Sequence, residues 1–508
     1  MSPLVFVVLL YPLILVGISV WRSRSVKSHA DFMVAGRGVP VMLLVGTLVC
    51  TWIGSGSLFG GAGLAYRTGI AELWFSFGGW IGMLVAFFLA ARVRRIAQYT
   101  VPDLLEQRYN ATARVLGTIA IILAYVTIAA YQFRGGGWIL SIVTDGRISP
   151  ETGMYITCAT IVLFTALAGM MSIVTVDILN GVVITGGILF ALPYLIFKGG
   201  GVGEVFGRLP EGHLSALGGH NAVWAIGVAL PTFLLILGES GMYQKFFSAK
   251  SERAAKQAVA GMVVGIVVIE TALALLAIVG RSIYPDLAEG TSIVGRAASE
   301  TVILFVARHG LPVLGGAILL AAAIAIVLST GNTFLLVPSS NVSRDIYERF
   351  VDPRASEAKK LAVQRTFVVL FGALGLILLT QFETVLSMAL YAYSLVGASL
   401  TPALLAAFLW KRVTPAGGVA CIAGGLGTIL GIAALSRFGV GSFMMTVAGN
   451  EFDFSDSSYI VIPGVLVSMT LLIVVSLLTK PSPASKWAPF FAPPGTSLAA
   501  AIEEVKEA

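Results

Sequence analysis

The sequence predicts an all-α polytopic membrane protein with about 13 transmembrane helices. Of its 508 residues, 57% are hydrophobic and only 12% are charged, against roughly 25% charged in an average soluble domain. Apolar runs of about 20 residues, the length a helix needs to cross a bilayer, recur along the whole chain, and the mean hydropathy is +0.91. Charged residues gather in short loops between these runs. A soluble fold built from the same runs would cover itself in hydrophobic surface.

In chain order, apolar windows read against charged punctuation place spans at 3 to 21, 39 to 66, 70 to 91, 115 to 139, 152 to 170, 173 to 197, 222 to 242, 257 to 280, 310 to 337, 363 to 382, 384 to 410, 415 to 435 and 458 to 479. The first run, "LVFVVLLYPLILVGISVW", has no basic leader and is followed by "RSRSVK", the pattern of an anchor helix with its N-terminus outside. An odd number of spans puts the two ends on opposite sides. One set of loops carries Arg22, Arg24, Lys27 and Arg37, then Arg92, Arg94, Arg95 and Arg108, then Lys245, Lys250, Arg253 and Lys256, then Arg344 through Arg365, then Lys411 and Arg412. The positive-inside rule makes these loops cytoplasmic. The alternate loops, such as "TDGRISPETG" and "FGVGSFMMTVAGNEFDFSDSS", are poor in Lys and Arg, so the C-terminal tail is expected inside.

The same observations narrow the function. The net charge of +7 does not point to nucleic acid, because the basic residues sit in short loops where they orient helices. Cys50, Cys158 and Cys421 lie in apolar segments without CxxC spacing, and His29, His213, His220 and His309 form no HExxH pair. They support neither a disulfide framework nor metal catalysis. No extramembrane segment is long enough for a separate catalytic domain, so an enzyme is not expected. The runs "FRGGGW" and "FKGGGVGEVFG" follow no strand of a βαβ unit and read as flexible loops or close helix packing, not nucleotide sites.

Polar groups inside hydrocarbon are tolerated mainly where they line a cavity. "TWIGSGSLFGGAG" places Gly54, Gly56, Gly60, Gly61 and Gly63 with Ser55 and Ser57 inside one span. Each glycine costs about 1 kcal/mol in a helix, and a break frees carbonyls that suit a small alkali cation. A small-residue packing surface is the alternative. Five spans later "ILGESGMYQK" repeats the interruption at Glu239. Two interrupted helices in matching positions point to an inverted-repeat transporter with its site at the midplane.

"LSTGNT" puts Ser329, Asn332 and Thr333 at i, i+3 and i+4, on one helix face, with Thr330 about 100° round. Asp177 in "MSIVTVDILNG" is the anionic complement, since a carboxylate at membrane depth needs a cation, a proton or an Arg. Interhelical hydrogen bonding is the alternative reading of this polar face. Candidate substrate-binding residues are Ser55, Ser57, Glu72, Trp74, Gln132, Arg134 and Glu239. Arg134 near a helix end also fits snorkelling, Glu72 and Glu270 are ambiguous, and Trp52, Trp74, Tyr131 and Tyr243 also fit interfacial or packing roles.

The segments "SHADFMVAGRGVP", "GGAGLAYRTGIAELW", "YTVPDLLEQRYN", "SIVTVDILNG", "MYQKFFSAKSERAAKQA", "LSTGNT" and "SLTPALLAAFLWKRVTPAGG", in this order and spacing, resemble the sodium:solute symporter family of proline, pantothenate, sialic acid and sodium/glucose cotransporters. The resemblance runs from about Val5 to about Leu478. It implies a leucine-transporter-like core of two inverted five-helix repeats (5+5), plus one N-terminal and two C-terminal helices. The units expected are an extra helix and cytoplasmic loop (1–38), the first repeat (39–198), the second (199–410), the extra helices (411–480) and a cytoplasmic tail (481–508).

For the first sodium site the resemblance implies Cys50, Ile53, Ile326, Ser329 and Thr330, and for a second one Asp177 with Ser329, Asn332 and Thr333. Cys50 and Ile326 replace the family's usual alanines, which ligation by carbonyls tolerates. Trp52 stands where the proline carriers have an aspartate, which puts proline in doubt. Gln244-Lys245 stands where family members often have Gln-Arg. Glu239 replaces a neutral amide of the sugar carriers, which favours a charged or zwitterionic solute over a sugar.

The expected function is sodium-coupled import of a small organic solute by alternating access, with Na+ as the coupling ion. The protein is expected to be a multi-pass protein of the cell (inner) membrane, its partners being the solute, sodium ions and lipid, with no nucleic acid and no obligate protein partner. One rival is a proton-coupled carrier using Asp177 and Glu239. Another is a solute sensor, for whose signalling module the tail "PSPASKWAPFFAPPGTSLAAAIEEVKEA" leaves no room.

Overall fold

A computed structural model describes residues 3–23, 37–96, 98–167, 170–287, 296–440, 443–447 and 450–492. Arg24, Lys27, His29, most of "SHADFMVAGRGVP" and the tail from 493 lie outside the described residues. Among the described residues, eleven helices are long and apolar enough to cross a membrane, and two shorter apolar ones, Val5–Leu15 and Val41–Trp52, join them. The protein is mostly helical. Among the described residues, it departs from an all-α expectation in a short antiparallel hairpin, β1 (Met444–Val447) with β2 (Asn450–Asp453), in the loop before the last long helix, and in an isolated bridge between Val39 and Ala249.

The chain begins with α1 (Pro3–Ser23) and α2 (Val41–Trp52). A π-helical turn, Gly56–Gly61, leads into α3 (Ala62–Thr68), and α4 (Leu73–Ile96) follows. The turn between α3 and α4 hinges on Gly69, with φ +66° and ψ −137°. A Cβ there would lie 1.9 Å from the carbonyl oxygen of His213, so only glycine fits. Next come α5 (Val101–Arg108), α6 (Ala111–Val143), α7 (Pro150–Leu167), α8 (Met170–Lys198) and the short α9 (Val202–Gly207). The second interrupted span is α10 (Ala222–Gly238) with α11 (Ser240–Ser248), followed by α12 (Glu252–Ile283).

After two short turns, α13 (Arg296–Ser299) and α14 (Val302–Phe305), come α15 (Val313–Asn341), α16 (Glu357–Leu379), α17 (Val385–Leu409), α18 (Pro415–Arg437), α19 (Val461–Leu478) and α20 (Ala484–Phe491). Many starts are capped, with side chains of Thr100, Asn110, Asn221, Ser251, Ser356, Thr384 and Thr414 accepting from backbone N–H groups of the first turn. These caps satisfy donors that a helix cannot pair within itself. They also explain why α6 and α16 begin earlier than the apolar windows that reveal them.

Two groups of helices define the centre. In one, α4 packs on α10 and α12, while α12 also packs on α2. In the other, α6 packs on α7, α15, α16 and α17. The entry to α2 is tied to the exit of α11, because Val39 N–H donates to the Ser248 carbonyl at 3.1 Å and Lys250 N–H to the Val39 carbonyl at 3.0 Å. At one end of the bundle, Arg114 on α6 reaches Asp103 at 2.5 Å and Glu106 at 2.5 Å on α5, and Asp345 at 2.7 Å beyond α15. Arg344 joins Asp103 at 2.8 Å and Arg349 joins Glu106 at 2.8 Å.

Candidate functional site

The first interruption follows Trp52. Ile53 leaves the helix at φ −74° and ψ 97°, and the helix restarts when Ser57 and Leu58 N–H groups donate to the Gly54 carbonyl at 3.1 and 3.0 Å. Gly54 is forced: a Cβ there would lie 2.9 Å from Thr330 Cγ2 and 3.2 Å from Gln132 Nε2. The second interruption falls at Glu239, with φ −71° and ψ 105°. The two breaks therefore share one backbone conformation.

Their free ends are used differently. At the first, Thr330 Oγ1 donates to the carbonyl oxygens of Cys50 at 3.3 Å and Ile53 at 3.2 Å. Three hard oxygens thus converge where helix carbonyls lack their usual partners, the donor chemistry a small alkali cation needs. Ile326, fully buried, stands one turn before Thr330 on α15. At the second break the Glu239 carboxylate caps α11, accepting from Gly241 N–H at 3.0 Å and Met242 N–H at 2.7 Å, and also from Tyr125 Oη at 2.6 Å.

Between the breaks lies a cavity of about 20 Å³ lined by Thr51, Trp52, Gly54, Tyr131, Leu235, Glu239, Thr330, Phe334 and Tyr393. That volume holds about one water molecule, so the site is closed around its centre. The Tyr131 and Tyr393 hydroxyls meet at 3.3 Å.

Beside it, Asp177 is 1% exposed. It accepts from Thr47 Oγ1 at 2.5 Å and Ser329 Oγ at 2.5 Å, and its backbone carbonyl takes Cys50 Sγ–H at 3.1 Å. Ser329 and Thr330, adjacent in sequence, thus serve two different centres. Asn332 accepts from Thr165 Oγ1 at 3.0 Å, and the Thr333 hydroxyl, which is buried, has no hydrogen-bond partner among the described residues. The structure brings Asp177 to Ser329 and pairs neither Asn332 nor Thr333 with it.

The candidate substrate residues separate as well. Ser55 N–H and Oγ both reach Gln132 Oε1, at 3.1 and 2.6 Å, next to the cavity. Ser57 turns to Glu270 at 3.1 Å, and Glu72 pairs with Ser76 at 3.1 Å. Trp74 donates to the Ala216 carbonyl at 2.9 Å in an outer groove. Arg134 is spent on the carbonyls of Leu379, Phe382 and Glu383, at 2.7, 2.8 and 3.0 Å, where it closes the end of α16. Neither Trp74 nor Arg134 lines the cavity.

Lys245 corrects the sequence reading, which places it in a loop. It is fully buried on α11, and its Nζ donates to the Thr47 carbonyl at 2.8 Å and to the Thr51 hydroxyl. The signal that finds it is its flank: "MYQKFF" continues the apolar helix on both sides, so the lysine lies within the span and not after it. Thr47, Thr51, Tyr125 and Tyr393 are further participants that no local pattern singles out.

Interrupted helices round a small closed cavity, with freed carbonyls beside hydroxyls, define a membrane transporter. The comparisons with known proteins give its kind. A family model described as "Sodium:solute symporter family" matches residues 32–425, and the chain belongs to that family. The Sodium/proline symporter of Escherichia coli (strain K12) is 25% identical over 487 residues, 94% of this chain and 92% of that protein. The Sodium/pantothenate symporter of the same organism is 26% identical, covering 82% and 88%. Among solved structures, a substrate-bound outward-open Na+-coupled sialic acid symporter superposes with a TM-score of 0.76 at 15% identity, over 94% of this chain and 98% of that one. The fold is shared with transporters of the leucine-transporter class, and the protein is a multi-pass membrane transporter, not an enzyme.

Proposed function

We propose that this protein imports a small charged or zwitterionic organic solute, driven by sodium and working by alternating access. The observation that carries the reading is the meeting of Thr330 Oγ1 with the Cys50 and Ile53 carbonyls at 3.2 to 3.3 Å beside the first break. Sodium entering there replaces Thr330's hydrogen bonds with ion contacts from the same oxygens, joined by the Ile326 carbonyl, while Asp177 with Ser329 forms the neighbouring centre. The solute occupies the cavity between the breaks, near Ser55, Gln132 and Glu239. The proline and pantothenate symporters among the relatives support the solute class, since proline is a zwitterion and pantothenate a carboxylate.

In this reading 39–198 and 199–410 form two inverted five-helix repeats, the shared conformation of the two breaks marks their symmetry, and 13 spans leave the N-terminus outside. Because the cavity holds about one water, the structure stands for an occluded state, and solute entry requires the helices to separate. Sodium drives the cycle only through unequal affinity for the two open states.

The test is uptake into liposomes containing only this protein, across a panel of zwitterions, carboxylates and sugars, with an inward sodium gradient or choline in its place. Sodium-dependent accumulation of a zwitterion or carboxylate is expected. Equal accumulation with choline would contradict sodium coupling, and sodium-driven uptake of sugars alone would contradict the solute class.

A further inference from the structure

Away from the sodium centres, two carboxylates meet in the interior between the segment after the first break, α4 and α12. Glu72, in the turn before α4, and Glu270, on α12, are each 3% exposed. Ser76 and Trp80, one turn apart on the same face of α4, donate to Glu72 and Glu270 respectively, which sets the two carboxylates side by side. No salt bridge among the described residues involves either one.

The pair is asymmetric. Glu270 accepts from Trp52 Nε1 at 3.0 Å, Ser57 Oγ at 3.1 Å and Trp80 Nε1 at 2.7 Å. Three donors are what an ionised carboxylate in a dry place needs. Glu72 has Ser76 Oγ on one oxygen at 3.1 Å, while its Oε2 is buried without a partner. An ionised Glu72 would hold a bare carboxylate oxygen in the protein interior next to a second negative charge, a situation that neutralisation relieves.

Several titratable and charged groups near the pair have partners of their own. Arg67 donates to Ser299, Arg281 to Tyr66 and Pro285, and His213 lies against the Tyr66 carbonyl. Glu300 accepts from the Val385 and Leu386 N–H groups, and Tyr393 meets Tyr131.

We infer that Glu72 and Glu270 form a proton-binding site, in which one hydrogen ion resides on Glu72 and Glu270 remains the anion. Binding adds one hydrogen ion to a carboxylate oxygen and removes one negative charge, and no other bond is made or broken. A metal ion fits less well, because two indole N–H groups point at Glu270 where a cation would have to approach it. The site communicates with the cavity through Trp52, which is among the residues that line the cavity and gives its indole N–H to Glu270. Its occupancy is therefore set to alter the first break, which follows Trp52.

The inference is independent of the choice of solute and is tested on the purified protein. Infrared spectra of the wild type, Glu72→Gln and Glu270→Gln are recorded between about pH 5 and 9, where perturbed carboxyls titrate. A protonated buried-carboxyl band is expected in the wild type at neutral pH and should be absent from Glu72→Gln. In Glu270→Gln the band should remain at neutral pH and disappear at a lower pH than in the wild type, because the neighbouring negative charge that disfavours ionisation of Glu72 is gone; an unmoved band overturns the inference. No band lost in Glu72→Gln overturns the inference. Should Glu72→Gln fail to fold, a wild-type titration left unmoved by Glu270→Gln overturns it as well. Sodium-specific thermal stabilisation that vanishes in Glu72→Gln but survives in Thr330→Val would put a metal ion in the site and equally overturn it.

Discussion

Thr330 is the residue on which the sodium reading turns, because its hydroxyl is the side-chain oxygen that meets both freed carbonyls. Thr330→Val keeps shape and removes that oxygen, and should weaken sodium binding at least about tenfold, or about 1.4 kcal/mol, as read by the sodium dependence of thermal stability. Lys245 carries a different prediction. Its buried ammonium donates to the Thr47 carbonyl and the Thr51 hydroxyl, so Lys245→Met should destabilise the fold by about 1–3 kcal/mol, the cost of leaving a buried hydrogen-bonding group without its partner. Thermal unfolding checks this, and an unchanged midpoint would show that the ammonium is dispensable. At this scale the sequence is partly legible. Asp177 with Ser329 is readable, because a carboxylate in hydrocarbon demands donors. Arg134 is not, since its partners lie 245 to 249 residues away in sequence and no local pattern reveals a carbonyl cluster across the bundle.

The broken helices are the elements that matter most, and glycine content alone makes the first break readable. Gly54→Ala should destroy the site's geometry, because the added Cβ meets Thr330 and Gln132. A stability loss of about 1–3 kcal/mol is expected from the overpacking, together with loss of sodium-stimulated uptake. Retention of full uptake would mean that the break has room that its packing denies. At the second break the sequence locates Glu239 but not its task, since capping depends on the backbone turning at that residue. Asn221, which caps α10 through Trp224 N–H at 2.9 Å, offers a control remote from the site: Asn221→Ala should cost about 1 kcal/mol and leave sodium dependence intact. Span ends are the least legible feature, because caps and polar residues such as Ser339 to Asn341 extend α15 beyond its apolar window while remaining buried.

Across the whole molecule, α5, α6 and the segment after α15 are held together at one end by the cluster of Arg114, Asp103, Glu106, Asp345, Arg344 and Arg349. Burial pushes Glu106 up, but hydrogen bonds from Arg349 and Arg114 outweigh it and hold this carboxyl below its ordinary value. A depressed acid contributes stability above its unfolded value, about 4.3, and loses it as pH falls through the lower folded value. Acidification below about pH 4 should therefore loosen this end, and Glu106→Gln should remove that part of the pH dependence of unfolding. The tie could not be foreseen from composition, because "VPDLLEQR" and "SRDIYERF" read separately as ordinary loop charges and become one network only when α5 packs beneath the end of α15. The central claim, that sodium binds at the first break, is tested most directly by the thermal stability of the purified protein in sodium against choline at equal ionic strength, with Thr330→Val alongside. Binding to the folded state alone should stabilise the wild type by about 2.7 kcal/mol when sodium is at about 100 times Kd, and about half of that gain or more should vanish in the variant. An equal sodium-specific gain in Thr330→Val, or no gain in the wild type, would contradict it.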